Sequence, residues 1–166
     1  MQNENFKIAI LTVSDKGSKG ERVDTAGPAI KDCLKDFPIE LAAAEIVPDE
    51  RSEISKKLIH YADDLGCDLV FTTGGTGFSP RDHTPEATLD VIDRAVPGIP
   101  EAIRTESLKI TPKAMLSRAV AGIRKKTLII NLSGSERAVR EQLAVVLPVL
   151  EHAVETLRGE GGDCGR

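Results

Sequence analysis

Four short apolar runs, each followed by a stretch with helical spacing, constrain this chain more than any other feature. Lys7 to Val13 is aliphatic and β-branched and reads as a strand. Glu40 to Val47, Leu69 to Thr73 and Thr127 to Leu132 read likewise. Gly27-Pro28 opens a helix to about Phe37, with Ile30 and Leu34 on one face. After Pro48-Asp49 a second helix runs through Leu65, carrying Ile54, Leu58, Ala62 and Leu65 on one stripe. Thr84-Pro85-Glu86 is a helix start: hydroxyl cap, proline at the first helical position, acid in the first turn. Pro97-Gly98 ends that helix and begins another, and Pro112 breaks the chain again. From Glu136 onward, Val139, Leu143, Val146, Leu147, Leu150, Val154 and Leu157 form a last helical stripe, which Pro148 should kink. Alternation of this kind predicts an α/β fold, a three-layer α/β/α sandwich around a mainly parallel sheet.

At 166 residues the chain suits one domain, expected over residues 1–158, with a disordered tail over residues 159–166. Aromatics make up 3% and there is no Trp, so the core must be aliphatic. A formal charge of −4 argues against a nucleic-acid partner, and Gly17-Ser18-Lys19-Gly20 lacks the basic and aromatic surroundings of an RNA-binding GxxG loop. No apolar run is long enough to span a membrane. Phe6 to Val13 has no basic flank or cleavage site, so no secretory leader is expected and the location implied is cytoplasmic. Cys33, Cys67 and Cys164 form no C-x-x-C pair; the first two read as core residues and the third as an exposed thiol.

The third strand empties into Thr72-Thr73-Gly74-Gly75-Thr76-Gly77-Phe78-Ser79-Pro80-Arg81-Asp82. Glycines let successive N–H groups turn toward a bound anion, so the loop is expected to hold phosphate. It is neither a dinucleotide fingerprint, since Pro80 stands where a small residue is needed, nor a Walker A loop, which needs a terminal Gly-Lys-Ser/Thr. A plain strand-to-helix turn is the alternative. In a parallel sheet, ligands bind beyond the carboxyl ends of the strands. Ser14-Asp15, Asp49, Thr73 with its loop, and Asn131 to Ser135 should therefore meet at one edge. Asp49 and Asp82 each follow a strand end and could share a Mg²⁺ with substrate phosphates. Asp49 could instead cap a helix, and Asp82 could close an Asx-turn. Arg81 and Arg118 could grip phosphate or form surface ion pairs. Ser133-Gly134-Ser135 could be a second anion site or only a turn. His60 and His152 fall in helices, and His83 borders the loop without a ligand partner.

Thr73-Gly74-Gly75-Thr76-Gly77, Pro80-Arg81-Asp82 and Thr84-Pro85-Glu86-Ala87-Thr88 resemble the signature of the MogA/MoaB family of molybdenum-cofactor enzymes, which includes the G domain of gephyrin. Glu106 to Pro112, Ala114 to Arg118, Gly122 to Arg124, Leu128 to Leu132, Ser14-Asp15 and Pro48-Asp49 are similar too, so the resemblance covers roughly residues 7 to 157. It implies adenylyl transfer from ATP to molybdopterin with Mg²⁺, giving adenylylated molybdopterin and pyrophosphate. A pterin-binding or scaffolding module without catalysis is the alternative. On this resemblance Asp49 and Asp82 are catalytic and hold the metal. Ser14, Asp15 and Thr73, Gly74, Gly75, Thr76 and Gly77 bind nucleotide phosphates. Ser107, Met115, Ser117, Arg118, Asn131, Gly134 and Ser135 seat the pterin. A homotrimer, less commonly a hexamer, and a molybdenum-insertion partner are implied, for a molybdenum or tungsten cofactor. The Pro-Arg-Asp-His-Thr-Pro run resembles the MogA-like catalytic branch more than the MoaB branch. Two departures stand out. The family commonly has proline where this chain has Ser133 and Glu136. Losing the first should loosen the turn, and the second places a carboxylate close to any anion bound there.

Overall fold

A computed structural model of the chain describes residues 5–160 and 162. The order is β1 (Phe6–Val13), α1 (Asp15–Ser18), α2 (Ala26–Cys33), β2 (Ile39–Val47), α3 (Arg51–Ile59), β3 (Leu69–Thr73), α4 (Thr84–Leu89), β4 (Arg94–Ala95), α5 (Gly98–Leu108), β5 (Ala121–Arg124), β6 (Thr127–Leu132) and α6 (Glu136–Arg158). A π-helical turn, His60–Asp64, continues α3, and a 3₁₀ turn, Pro112–Leu116, follows α5. One six-stranded sheet has the order β2-β1-β3-β6-β5-β4. The four strands from β2 to β6 are parallel, and β5 and β4 add antiparallel at one edge.

Both faces of the sheet are covered, which is why its central strands are apolar throughout. Along β1, Ile8 and Ile10 face a core shared with Ile30 of α2, Leu34 just past its end, Ile103 of α5 and the Val139–Val154 stripe of α6. The alternating residues Ala9, Leu11 and Val13 face a second core with Ile54 and Leu58 of α3, Tyr61, and Ala87 of α4. The expected three-layer sandwich is therefore present. Tyr61 is fully buried, and its hydroxyl donates to Glu45 Oε1 at 2.9 Å. Tyr61→Phe is expected to cost about 1 kcal/mol, read as a fall in Tm of roughly 2–4 °C.

Several local expectations need correction. Ser14 to Asp24, whose polar and glycine-bearing sequence reads as a loop, begins with one helical turn: Ser14 accepts the Gly17 N–H through its side chain. Helix α2 stops at Cys33, short of Phe37. Thr84 is inside α4 rather than capping it, because its hydroxyl donates to the Gly74 carbonyl. Helix α6 is continuous past Pro148, which lies on its exposed outer side, where water can satisfy the carbonyl left without an N–H partner. Strands β4 and β5 had no sequence expectation. Cys67 is buried in the core as expected, and burial pushes its thiol up to about 11. Gly159 ends α6 with a left-handed φ of 80°. Most of the expected tail, including Cys164, lies outside the described residues. Among the described residues, no helix is long and apolar enough to cross a membrane.

Candidate active site

Parallel pairing of β2, β1, β3 and β6 sends four chain segments out at one edge. There a cavity of about 410 Å³ is lined by Ser14 after β1, Asp49 after β2, Thr73-Gly74-Gly75 and Asp82 after β3, and Gly134-Ser135 after β6. Arg22, Val23 and Asp24 complete its wall. A second cavity of about 270 Å³ is lined by Thr76, Gly77, Ser107, Ser117, Ser133 and Gln142, with Arg104 and Lys113. The glycine loop thus contributes Gly74-Gly75 to one cavity and Thr76-Gly77 to the other.

Close packing explains the loop's composition. Gly74 and Gly75 have φ of 98° and 67°, the left-handed region that a side chain disfavours. A Cβ on Gly74 would lie 2.3 Å from the Val13 carbonyl oxygen, and one on Gly75 would lie 2.3 Å from Thr84 Oγ1. The Gly74 N–H donates to the Leu132 carbonyl at 3.1 Å, tying the loop to β6. Arg118 fixes its far half. The Arg118 N–H donates to Thr76 O, Nε to Gly77 O, Nη2 to Asp82 O, and Nη1 to Glu86 Oε1.

The two carboxylates expected to act together both line the first cavity. A Cβ on Gly75 would come within 3.3 Å of Asp49 Oδ1, and one on Gly77 within 3.0 Å of Asp82 Oδ2, so the glycines leave these oxygens room. Asp49 does not cap α3; Glu50 occupies that position. Instead Asp49 Oδ2 accepts the Asp15 N–H at 2.8 Å, and the Asp49 N–H donates to Asp15 Oδ1 at 3.0 Å. Burial raises the Asp49 pKa above its ordinary value, and the charges of Asp15 and Asp82 push the same way. Asp82 Oδ2 accepts the Ser79 N–H at 2.9 Å, so Asp82 also closes its turn. Asp15 pairs bidentately with Arg81, which also reaches Glu50. That pairing holds the Asp15 carboxyl down at about 2.

Asp49 and Asp82 make an oxygen-only donor pair that suits a hard divalent cation. No group of three or more candidate metal-ligating side chains occurs among the described residues. A cation here would complete its shell with substrate oxygens and water, the usual manner of Mg²⁺.

Other expected site residues fall elsewhere. Asn131 is buried; it donates to Thr72 Oγ1 and Thr88 Oγ1 and accepts the Val120 N–H, so its amide braces the sheet and lines neither cavity. Arg118, expected to seat the pterin, binds the loop and Glu86 through its guanidinium and is absent from the lining of both cavities. Met115 is 65% exposed and lines neither cavity. Asp15 stands behind Asp49 rather than on the cavity wall. Gly134 and Ser135, expected beside Ser107, line the first cavity instead.

Three hydrogen bonds hold the turn after β6. The Ser133 N–H donates to Gln142 Oε1 at 2.9 Å, Gln142 Nε2 donates to Ser133 Oγ at 2.8 Å, and Thr73 Oγ1 donates to Ser133 O at 2.6 Å. Ser135 caps α6 by accepting the Ala138 N–H, and Glu136 pairs with Arg140. Gln142 was missed from sequence, although an amide between Val139 and Leu143 on a buried stripe is a visible anomaly. Arg104 had no comparable signal.

Residues 9–152 match the family model described as "Probable molybdopterin binding domain". The molybdopterin adenylyltransferase of Helicobacter pylori strain J99 is 46% identical over 94% of this chain and 90% of that protein. The molybdopterin adenylyltransferase of Escherichia coli K12 is 42% identical over 83% of this chain and 72% of that protein. The molybdopterin biosynthesis enzyme MoaB from Thermus thermophilus superposes with a TM-score of 0.88 at 54% identity, covering 93% of this chain and 97% of the other. A MogA structure superposes with a TM-score of 0.86 at 39% identity, covering 91% and 99%. Neighbours bear both branch names, so they do not separate the branches.

Proposed function

We propose a function from one premise: this chain belongs to the molybdopterin binding family whose model spans residues 9–152. It transfers the adenylyl group of ATP to molybdopterin, in the biosynthesis of molybdenum cofactor. The observation that carries this reading is the pair of cavities meeting at one glycine loop, with Asp49 and Asp82 on the wall of the first. Nucleotide phosphates fit the first cavity, where the Gly74-Gly75 backbone and Ser14 line the wall. The pterin fits the second, among the hydroxyls of Thr76, Ser107 and Ser117. A phosphate oxygen of molybdopterin attacks the α-phosphorus of ATP; the new P–O bond forms as the bond to pyrophosphate breaks.

The protein's part is positioning and charge management. Asp49 and Asp82 would hold Mg²⁺, which would supply neutralisation of phosphate charge. Asp15 orients Asp49 through the reciprocal backbone bonds, and Arg81 holds Asp15 in place. Arg118 keeps the glycine loop and the Asp82 backbone in fixed relation. Assembly as a homotrimer and hand-over of product to a molybdenum-insertion enzyme belong to the same proposal.

Pyrophosphate release from ATP, molybdopterin and Mg²⁺ tests this reading. Molybdopterin binding without release would leave a binding module. The pH profile gives a second test. Asp49 must be ionised to hold a cation, and its proton leaves above the ordinary value of 3.8. At limiting Mg²⁺, turnover should therefore fall on acidification through a pH above 3.8. An acid limb at or below that value would contradict the assignment.

A further inference from the structure

The bonds between Ser133 and Gln142 fix which way a hydroxyl proton points. A backbone N–H can only donate, so the group of Gln142 facing the Ser133 N–H must be its carbonyl oxygen, at 2.9 Å. The amide nitrogen is then the group facing Ser133 Oγ, at 2.8 Å, and that nitrogen can only donate. Ser133 Oγ is forced to accept, and its own hydrogen must go elsewhere. Ser133 Oγ makes no further bond among the described residues. Both Ser133 and Gln142 line the second cavity, and Gln142 is 7% exposed, so its amide has little freedom to turn away.

The position of Ser133 narrows what it can meet. Its carbonyl is held by Thr73, and the next two residues line the first cavity. Ser133 therefore stands where the two cavities adjoin. In the adenylyl transfer proposed above, the group that must reach this junction from the second cavity is the attacking phosphate. We propose that Ser133 is a substrate-binding residue that donates a hydrogen bond to a phosphate oxygen of the bound pterin, and that Gln142 is the positioning residue that frees its proton to do so. This inference rests on the adenylyltransferase reading.

Gln142→Glu separates the two roles. A carboxylate cannot donate, so it would accept from both the N–H and the O–H of Ser133 and draw the proton out of the cavity. Molybdopterin and ATP affinities, each measured alone, should be compared for the wild type, Ser133→Ala, Gln142→Glu and the double variant. Ser133→Ala and Gln142→Glu are each expected to weaken molybdopterin roughly tenfold, the worth of one hydrogen bond to a charged group. The double variant should be no weaker than either single one, since both remove the same bond. ATP affinity should hold, because the N–H bond that fastens the turn survives in Ser133→Ala. Unchanged molybdopterin affinity in Ser133→Ala would overturn the proposal. So would a parallel loss of ATP affinity, which would mark a merely structural turn. Wild-type protein that binds molybdopterin but releases no pyrophosphate would sink the catalytic reading alone, leaving the affinity comparison to judge Ser133.

Discussion

Asp49→Asn and Asp82→Asn should each cut pyrophosphate release by roughly a hundred- to a thousandfold, the usual loss when one preorganised charge-stabilising group is removed. Both carboxylates line the first cavity, and the glycines beside them leave their oxygens uncovered. Stability should move differently. Asp49 has a raised folded-state pKa, so its ionised form works against folding once the pH is above that value. Asparagine removes that charge, and its oxygen can still accept the Asp15 N–H. Asp49→Asn should therefore melt no lower than the wild type at neutral pH, while losing turnover. A variant that lost both together would point to a structural role for Asp49. Calorimetry beside the pyrophosphate assay distinguishes the two.

Gly74→Ala should be the most damaging single methyl in the chain. The new Cβ would lie 2.3 Å from the Val13 carbonyl oxygen, which is backbone in a buried central strand and cannot step aside. The residue also holds a φ of 98°. Strain of this kind costs about 1–3 kcal/mol, and overpacking adds about 1–3 more. Against a total stability of about 5–15 kcal/mol, that is a large share. The expected Tm loss is roughly 10 °C or more, with turnover lost as the loop shifts. Gly20→Ala is the matched control: its φ is also positive, at 73°, but nothing lies within 4 Å of the added methyl. Comparable losses in the two variants would mean that φ alone, not the contact with Val13, governs the site.

The central strands could be read from sequence because each is buried on both faces and so is apolar along its length. The two antiparallel strands could not. Strand β4 has two residues, both exposed, and β5 contains Gly122, where a Cβ would lie 2.5 Å from Ile92 Cδ1. Packing there demands the absence of a side chain, which erases the strand signal. Asp49, Asp82 and the glycine loop were legible because they follow strand ends, where parallel topology gathers ligands. The roles of Arg118 and Asn131 were not. Their side chains bond groups as far as 59 residues away in sequence, including carbonyls and hydroxyls that carry no residue-type pattern.

The sheet order also sets the sequence in which this molecule can assemble. Strands β5 and β6 are joined by Lys125-Lys126 alone, with Lys125 at a φ of 53°. Every parallel pairing in the sheet joins distant stretches; Ile8 meets Leu69, and Leu69 meets Leu128. Closing long loops costs chain entropy before any contact repays it. The hairpin can therefore form early, while the edge that gathers Ser14, Asp49, Gly74 and Gly134 waits for the last registers to close. A chain in which β3 has not yet paired with β1 and β6 lacks the site, because Ser14, Gly74 and Gly134 follow those three strands.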